Sequence, residues 1–146
     1  MEPHYWQSEW IIVNKLAYKF KAPQRGDIIV FQPPIPSPIP FIKHIIGLSG
    51  ETVEIKDGVV YVNETDGNVV TLQESYIKEP FFTNYTSTVV PANEYFVMGD
   101  NRNNSYDSRY GWFISREKIR GQAWLSIWPP RLWGLAPNYR QLITIV

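Results

Sequence analysis

The chain has 146 residues, about one domain, of which 44% are hydrophobic and 15% aromatic, with 12 prolines. Fourteen basic and fourteen acidic side chains cancel, which removes the electrostatic case for nucleic acid or an anionic membrane surface as a partner. With no cysteine, disulfides, thiolate metal sites and a cysteine nucleophile are excluded, and no apolar run reaches the length of a membrane span or a signal-peptide core.

Helical periodicity is scarce. Short β-branched or aromatic runs follow one another instead: Trp10–Val13, Asp27–Phe31, Phe41–Ile46, Thr52–Ile55, Val59–Val62, Asn68–Leu72, Tyr95–Met98, Ala123–Trp128 and Leu142–Val146. Turn residues separate most of them, the pattern of an all-β domain. Gln32–Pro40 carries five prolines in nine residues; it is either a stiff connection between strands or a polyproline ligand for a partner domain. Asp57-Gly58 sits between two strand runs and supplies the positive φ angles of a two-residue type I′ hairpin, and Asp66-Gly67 predicts a second reversal. Lys78–Val90 reads as an irregular excursion, and Ser115 is a candidate N-cap for a short helical turn over Ser115–Ile119. No internal repeat has a fixed period.

Two constellations can carry chemistry. In Phe41-Ile42-Lys43-His44-Ile45-Ile46-Gly47, strand alternation puts Phe41, Lys43 and Ile45 on one face. A lysine among such neighbours can be desolvated, its pKa lowered and its amine made a general base. The alternative is a snorkelling lysine that discourages pairing at a sheet edge. The second is Met98-Gly99-Asp100-Asn101-Arg102-Asn103-Asn104-Ser105-Tyr106-Asp107-Ser108-Arg109. Its polar density after an apolar run reads either as a structured loop whose side chains bond backbone and one another, or as a solvated turn. Asp107 and Arg109 can pair across one strand step. His4 and His44 lack a third metal ligand at recognisable spacing.

Three segments together resemble the type I signal peptidases, membrane-anchored serine proteases that use a Ser/Lys dyad. Met1-Glu2-Pro3, followed by Val13-Asn14-Lys15 and Arg25-Gly26-Asp27-Ile28-Ile29-Val30-Phe31, is similar to the nucleophile region and the next strand. Ile42-Lys43-His44-Ile45-Ile46-Gly47-Leu48-Ser49-Gly50-Glu51 resembles the segment that carries the lysine base. Gly99 to Arg109 resembles the family signature near the end of the catalytic core and is the most specific of the three. The likeness runs from residue 1 to about Pro130. Gln24-Arg25-Gly26-Asp27 and Trp128-Pro129-Pro130 resemble cyanobacterial or chloroplast thylakoid members.

The resemblance implies one catalytic domain over 1–146, with all-β, strongly curved, mostly antiparallel sheets and a small β insertion at about 57–93. Lys43 becomes the base, Ser105 the residue that orients it, Asp107 and Arg109 a supporting pair, and Asp100 a structural member of the loop. Phe41, Ile42, Met1 and Tyr5 fall where the family lines its substrate groove, and the peptide is bound as an added strand. The implied activity is removal of signal peptides from exported pre-proteins, with no cofactor and no metal, on the extracytoplasmic side of a plasma or thylakoid membrane. The family's nucleophile is a serine immediately before Met-x-Pro, whereas this sequence begins at Met1. The nucleophile and a preceding membrane anchor are thus expected outside these residues, through a gene start assigned at an internal Met, a chain cut there, or true loss. As it stands the chain is expected to be soluble and not to cleave. Ser8 would approach Lys43 in a different geometry and is a poor substitute. His44 stands where Arg is common, and Gly111-Trp112 inverts the usual order. The competing readings are a serine-less relative that binds extended peptides or a partner peptidase, and an unrelated β-barrel module in which Lys43 and Ser105 lie far apart.

Overall fold

The computed structural model describes residues 10–77, 79–128, 134–135 and 143–145. The strands are β1 (Trp10–Asn14), β2 (Ile28–Phe31), β3 (Phe41–Gly47), β4 (Thr52–Lys56), β5 (Val59–Asn63) and β6 (Val69–Leu72), then β7 (Tyr85–Thr86), β8 (Glu94–Met98), β9 (Ile114–Ser115), β10 (Ile119–Trp128), β11 (Gly134–Leu135) and β12 (Ile143–Ile145). One sheet runs β1-β10-β2-β3-β8-β9, with β11 on β10, and the other runs β12-β6-β5-β4-β7. Neighbouring strands pair antiparallel throughout, as the short alternating runs predict. β7, β9 and β11 have only two residues each, too short to show a period in the sequence.

Local turn chemistry follows the residues. Asp57 at φ 49 and Gly58 at φ 80 close the β4–β5 hairpin, the paired positive angles of a type I′ turn. Gln32–Pro40 is the connection from β2 to β3, stiffened where the Gln32 side-chain amide donates to the Ser37 carbonyl at 2.9 Å. The expected turn after Ser115 is a single 3-10 turn, Arg116–Lys118, and the Ser115 side chain does not cap it.

β3 and β8 are the wall between two cores. Because side chains alternate across a strand, Ile45, Tyr95 and Val97 enter a cluster with Tyr18, Ile29, Phe31 and Ile114. Ile46, Phe96 and Met98 enter the other, with Val53, Ile55, Val60, Val62 and Val70. The last four residues of β8 are buried, on both faces. The end of that strand at Met98 is therefore fixed from two sides.

β-Bulges curve the first sheet. Register shifts interrupt β1 against β10, β10 against β2, and β3 against β8 between Ile45 and Gly47. The carbonyl of Ile46, set aside by that last shift, accepts a 2.8 Å hydrogen bond from Arg25. Arg25 also forks onto both carboxylate oxygens of Glu51, each at 2.8 Å, and reaches Glu64 at 2.7 Å. It thereby ties β3 to the two ends of the β4–β5 hairpin. Arg25 and Glu51 are both buried. Substituting Met for Arg25 strands a buried carboxylate and should cost about 3–5 kcal/mol; urea unfolding of the variant measures it, and a loss within experimental error contradicts this reading of the clamp.

Candidate active site

The site is built where β3 outruns its neighbour. β3 pairs with β2 along Phe41–His44, but with β8 only from His44 to Gly47. Among the described residues, the backbone of Phe41, Ile42 and Lys43 thus has a strand partner on one side only. β8 ends at Met98, and the chain leaves it at Gly99 in a loop that folds back on itself.

Gly99 is the point of closest approach. A Cβ placed on it would lie 2.9 Å from the Ser105 Cβ, closer still to the Ser105 Oγ, and 3.0 Å from the Lys43 Nζ. Real Cβ atoms essentially never come so near a neighbour as these Ser105 distances, so any other residue here would displace the Ser105 side chain and press on the Lys43 amine. The Lys43 amine and the Ser105 hydroxyl therefore both lie over the bare Cα of Gly99, near one another but without a hydrogen bond between them. The reading as an unrelated module required them far apart.

The loop is shaped by Asp107, which is fully buried. Its carboxylate accepts Arg109 Nε at 2.8 Å, an Arg109 terminal nitrogen at 2.9 Å and the Gly99 backbone N–H at 3.1 Å. It also accepts the Arg109 N–H as the N-cap of a 3-10 turn over Ser108–Tyr110. The Asp107–Arg109 pair is thus made within a turn and not across a strand step. Burial pushes the Asp107 carboxyl up, but Arg109, Ser105 and the Gly99 N–H outweigh it and hold the acid below its ordinary value. Ser108 ties the returning loop to β8 by accepting the Val97 N–H at 2.9 Å.

Lys43 is half-buried, with its Nζ 5.7 Å over the Phe41 ring. Burial is the largest influence on it and favours the neutral amine; Asp107 and Asp100 pull the other way, and Arg109 adds to the lowering. The net result is a pKa below the ordinary lysine value. Asp107 is already neutralised by Arg109, and Lys43 takes part in none of the ion pairs found among the described residues. The Ser105 Oγ is itself buried and completes no hydrogen bond of ordinary geometry within them. It lies close enough to Asp107 to favour the carboxylate, on the same side of Gly99 as the Lys43 amine.

The other sequence-stressed residues fall around this pair. Phe41 packs edge-on against Phe31 at 6.2 Å, and Ile42 joins Ile28 and Ala123 in a small cluster. Asp100 bonds His44 Nδ1 at 2.6 Å and so fastens the loop to β3 beside Lys43. Gly111, at φ 88, ends the 3-10 turn, and Trp112 then packs on Phe31 and Tyr106. Met1, Tyr5, His4 and Ser8 lie outside the described residues. Among the described residues no group of three potential ligands gathers to hold a metal ion. Gly99 and Ser108 were visible in the sequence as turn-forming types, but only the fold shows one making room for an amine and the other receiving a strand's N–H.

The family model described as "Signal peptidase, peptidase S26" matches residues 1–128. "Probable signal peptidase I-2" of Synechocystis sp. is 43% identical over 138 residues, covering 90% of this chain and 61% of that protein. "Thylakoidal processing peptidase 1, chloroplastic" of Arabidopsis thaliana is 32% identical over 140 residues, covering 89% of this chain and 40% of that one. The crystal structure of a signal peptidase I from Enterococcus faecalis superposes with a TM-score of 0.57 at 38% identity, covering 70% of this chain and 97% of that one. The chain thus spans about three fifths of the length of the first of these proteins and two fifths of the second.

The lowered pKa of Lys43 has a stability consequence. Between its lowered value and the ordinary 10.5, the unfolded chain binds more protons than the folded one, so stability rises with pH. Below that window the buried ammonium costs the fold its full penalty. Lys43→Met removes the penalty: the variant should be more stable than its parent at neutral pH, with the gap closing as pH approaches 10.5. Urea unfolding at several pH values checks this, and a gap that does not change with pH refutes it.

Proposed function

Because the chain belongs to the signal peptidase family, peptidase S26, we propose that it is a signal peptidase I catalytic domain with Lys43 as the general base. The observation that carries this is the Lys43 amine, desolvated, outside any ion pair among the described residues, and lying with the Ser105 hydroxyl over the bare Cα of Gly99. An amine biased toward its neutral form can accept a proton near physiological pH. Ser105 orients it, and Asp107, Arg109 and Asp100 hold the loop in which Ser105 sits.

In this reading a serine directly ahead of Met1 attacks the scissile carbonyl as its hydroxyl proton passes to Lys43. The C–N bond breaks, the proton goes to the leaving amine, and an ester acyl-enzyme remains. Water, deprotonated by Lys43, then attacks the ester; the proton returns to the serine oxygen and the signal peptide leaves as its carboxylate. Backbone N–H groups near the nucleophile stabilise the oxyanion. The unpaired edge of Phe41–Lys43 supports binding of the substrate as an added strand, with Met1, Tyr5, Phe41 and Ile42 shaping pockets for small residues at −1 and −3.

Residues of about 57–93 form a small insertion in this reading; the sheet to which they contribute also takes in β4 and β12. The working location is the extracytoplasmic face of a plasma or thylakoid membrane, with the anchor beyond these residues. No helix among the described residues is long and apolar enough to cross a bilayer. Trp10 and Trp124, on the neighbouring strands β1 and β10, are 67% and 52% exposed, and Phe20 is 91% exposed; such side chains suit work beside a bilayer.

The test extends the chain upstream with a membrane-spanning segment and a serine directly ahead of Met1, and assays cleavage of an exported pre-protein. Cleavage is expected, and Lys43→Met should reduce it by at least about 10²–10⁴-fold. Cleavage that survives Lys43→Met contradicts the assignment. Tight binding of the signal peptide without cleavage supports the serine-less binder instead.

A further inference from the structure

We propose that Glu74 and Tyr76, on the segment joining β6 to β7, are positioning residues for the Lys43–Ser105 site, acting through a ring of buried and half-buried side chains; this rests on Lys43 being the base. Neither residue lies in the motifs that carry the family resemblance.

The ring can be followed atom by atom. Arg102 Nε donates to the Gly99 carbonyl at 3.0 Å. Its two terminal nitrogens fork onto Glu74, one at 2.6 Å to Oε2 and the other to Oε1. The Tyr76 hydroxyl donates to Glu74 Oε1 at 2.7 Å. The Tyr76 ring stacks on His44, with centroids 4.9 Å apart and planes at 28°. His44 Nδ1 bonds Asp100 Oδ1 at 2.6 Å, and Asp100 follows Gly99 in the chain. The Arg102 side chain is fully buried and that of Glu74 only 9% exposed, with the guanidinium 5.1 Å over the Phe81 ring.

This ring grips both halves of the site. On one side it holds the Gly99 carbonyl, and hence the bare Cα that faces Lys43 Nζ and Ser105 Oγ. On the other it holds His44, the neighbour of Lys43 on β3. A planar guanidinium bound at both oxygens of one carboxylate has one orientation, so the Gly99 carbonyl has one place to be. Burying such a pair gains little stability over apolar residues of similar volume, which leaves geometry as what it supplies. Lys43 lies over the part of the loop that Arg102 fixes, and loosening it lets water reach the amine.

Glu74→Gln keeps the shape and one acceptor but weakens the fork; Tyr76→Phe deletes one hydroxyl and keeps the stacking. The readout is the pH of half-maximal modification of the Lys43 amine by acetic anhydride, resolved by peptide mass spectrometry, beside the melting temperature. In both variants the midpoint should move toward the ordinary lysine value, further in Glu74→Gln. In the serine-bearing extended chain, kcat should fall about ten- to a hundredfold in Glu74→Gln, with KM unchanged. A lowered melting temperature with an unmoved midpoint would show a purely structural role and overturn the proposal. If Glu74→Gln does not fold, the Tyr76→Phe midpoint decides. Should Lys43 already titrate at its ordinary value in the unsubstituted protein, the general-base reading fails first; a low midpoint there that neither variant moves sinks the ring alone.

Discussion

A lysine beside two carboxylates stays out of an ion pair only when those carboxylates are engaged elsewhere and the amine is denied water. That condition organises this domain. Asp107 is saturated by Arg109 and the Gly99 N–H, and Asp100 is turned to His44 on the opposite face of β3. The amine is left over the Phe41 ring and the bare Cα of Gly99. Burial then outweighs the remaining attraction. A side chain at position 99 would occupy the space beside which the Lys43 amine and the Ser105 hydroxyl lie, so the glycine is required by proximity and not by backbone angle.

Holding an amine in so small a space needs a frame that does not relax. The frame is the pair β3 and β8, each feeding two hydrophobic clusters. Interiors are packed like crystals, so a strand buried on both faces cannot shift toward one cluster without opening the other. The loop leaves from the end of that strand and is stitched back to it by Ser108 at Val97. The half of β3 that carries Lys43 extends beyond β8, so rigidity and an open edge occur on one strand.

Much of this was legible in the sequence, and for identifiable reasons. Alternating runs bounded by Gly, Pro, Asn and Asp specify antiparallel strands, and Asp57-Gly58 specifies its turn, because both signals are local. Lys43 and the segment from Gly99 to Arg109 were conspicuous because charged and polar types interrupt or follow apolar runs. The placing of Lys43 and Ser105 on the same side of Gly99 was not readable from spacing, since it depends on β3 lying beside β8. For the same reason nothing marked Glu74 or Tyr76: their partners Arg102 and His44 are brought to them only by the fold. The two-residue strands escaped notice because pairing, and not periodicity, defines them. The pairing of Asp107 with Arg109 was expected, but as a strand pair; a residue that also caps a 3-10 turn holds the arginine from the turn instead.

The central claim is that the fold keeps the Lys43 amine poised to take a proton. It is tested most directly by titrating that amine in the unsubstituted protein, followed by NMR of lysine labelled with ¹³C at Cε and assigned by its loss in Lys43→Met. The account predicts that the Lys43 resonance titrates clearly below the ordinary lysine value of 10.5, apart from the exposed lysines. A Lys43 resonance that titrates together with them would contradict it.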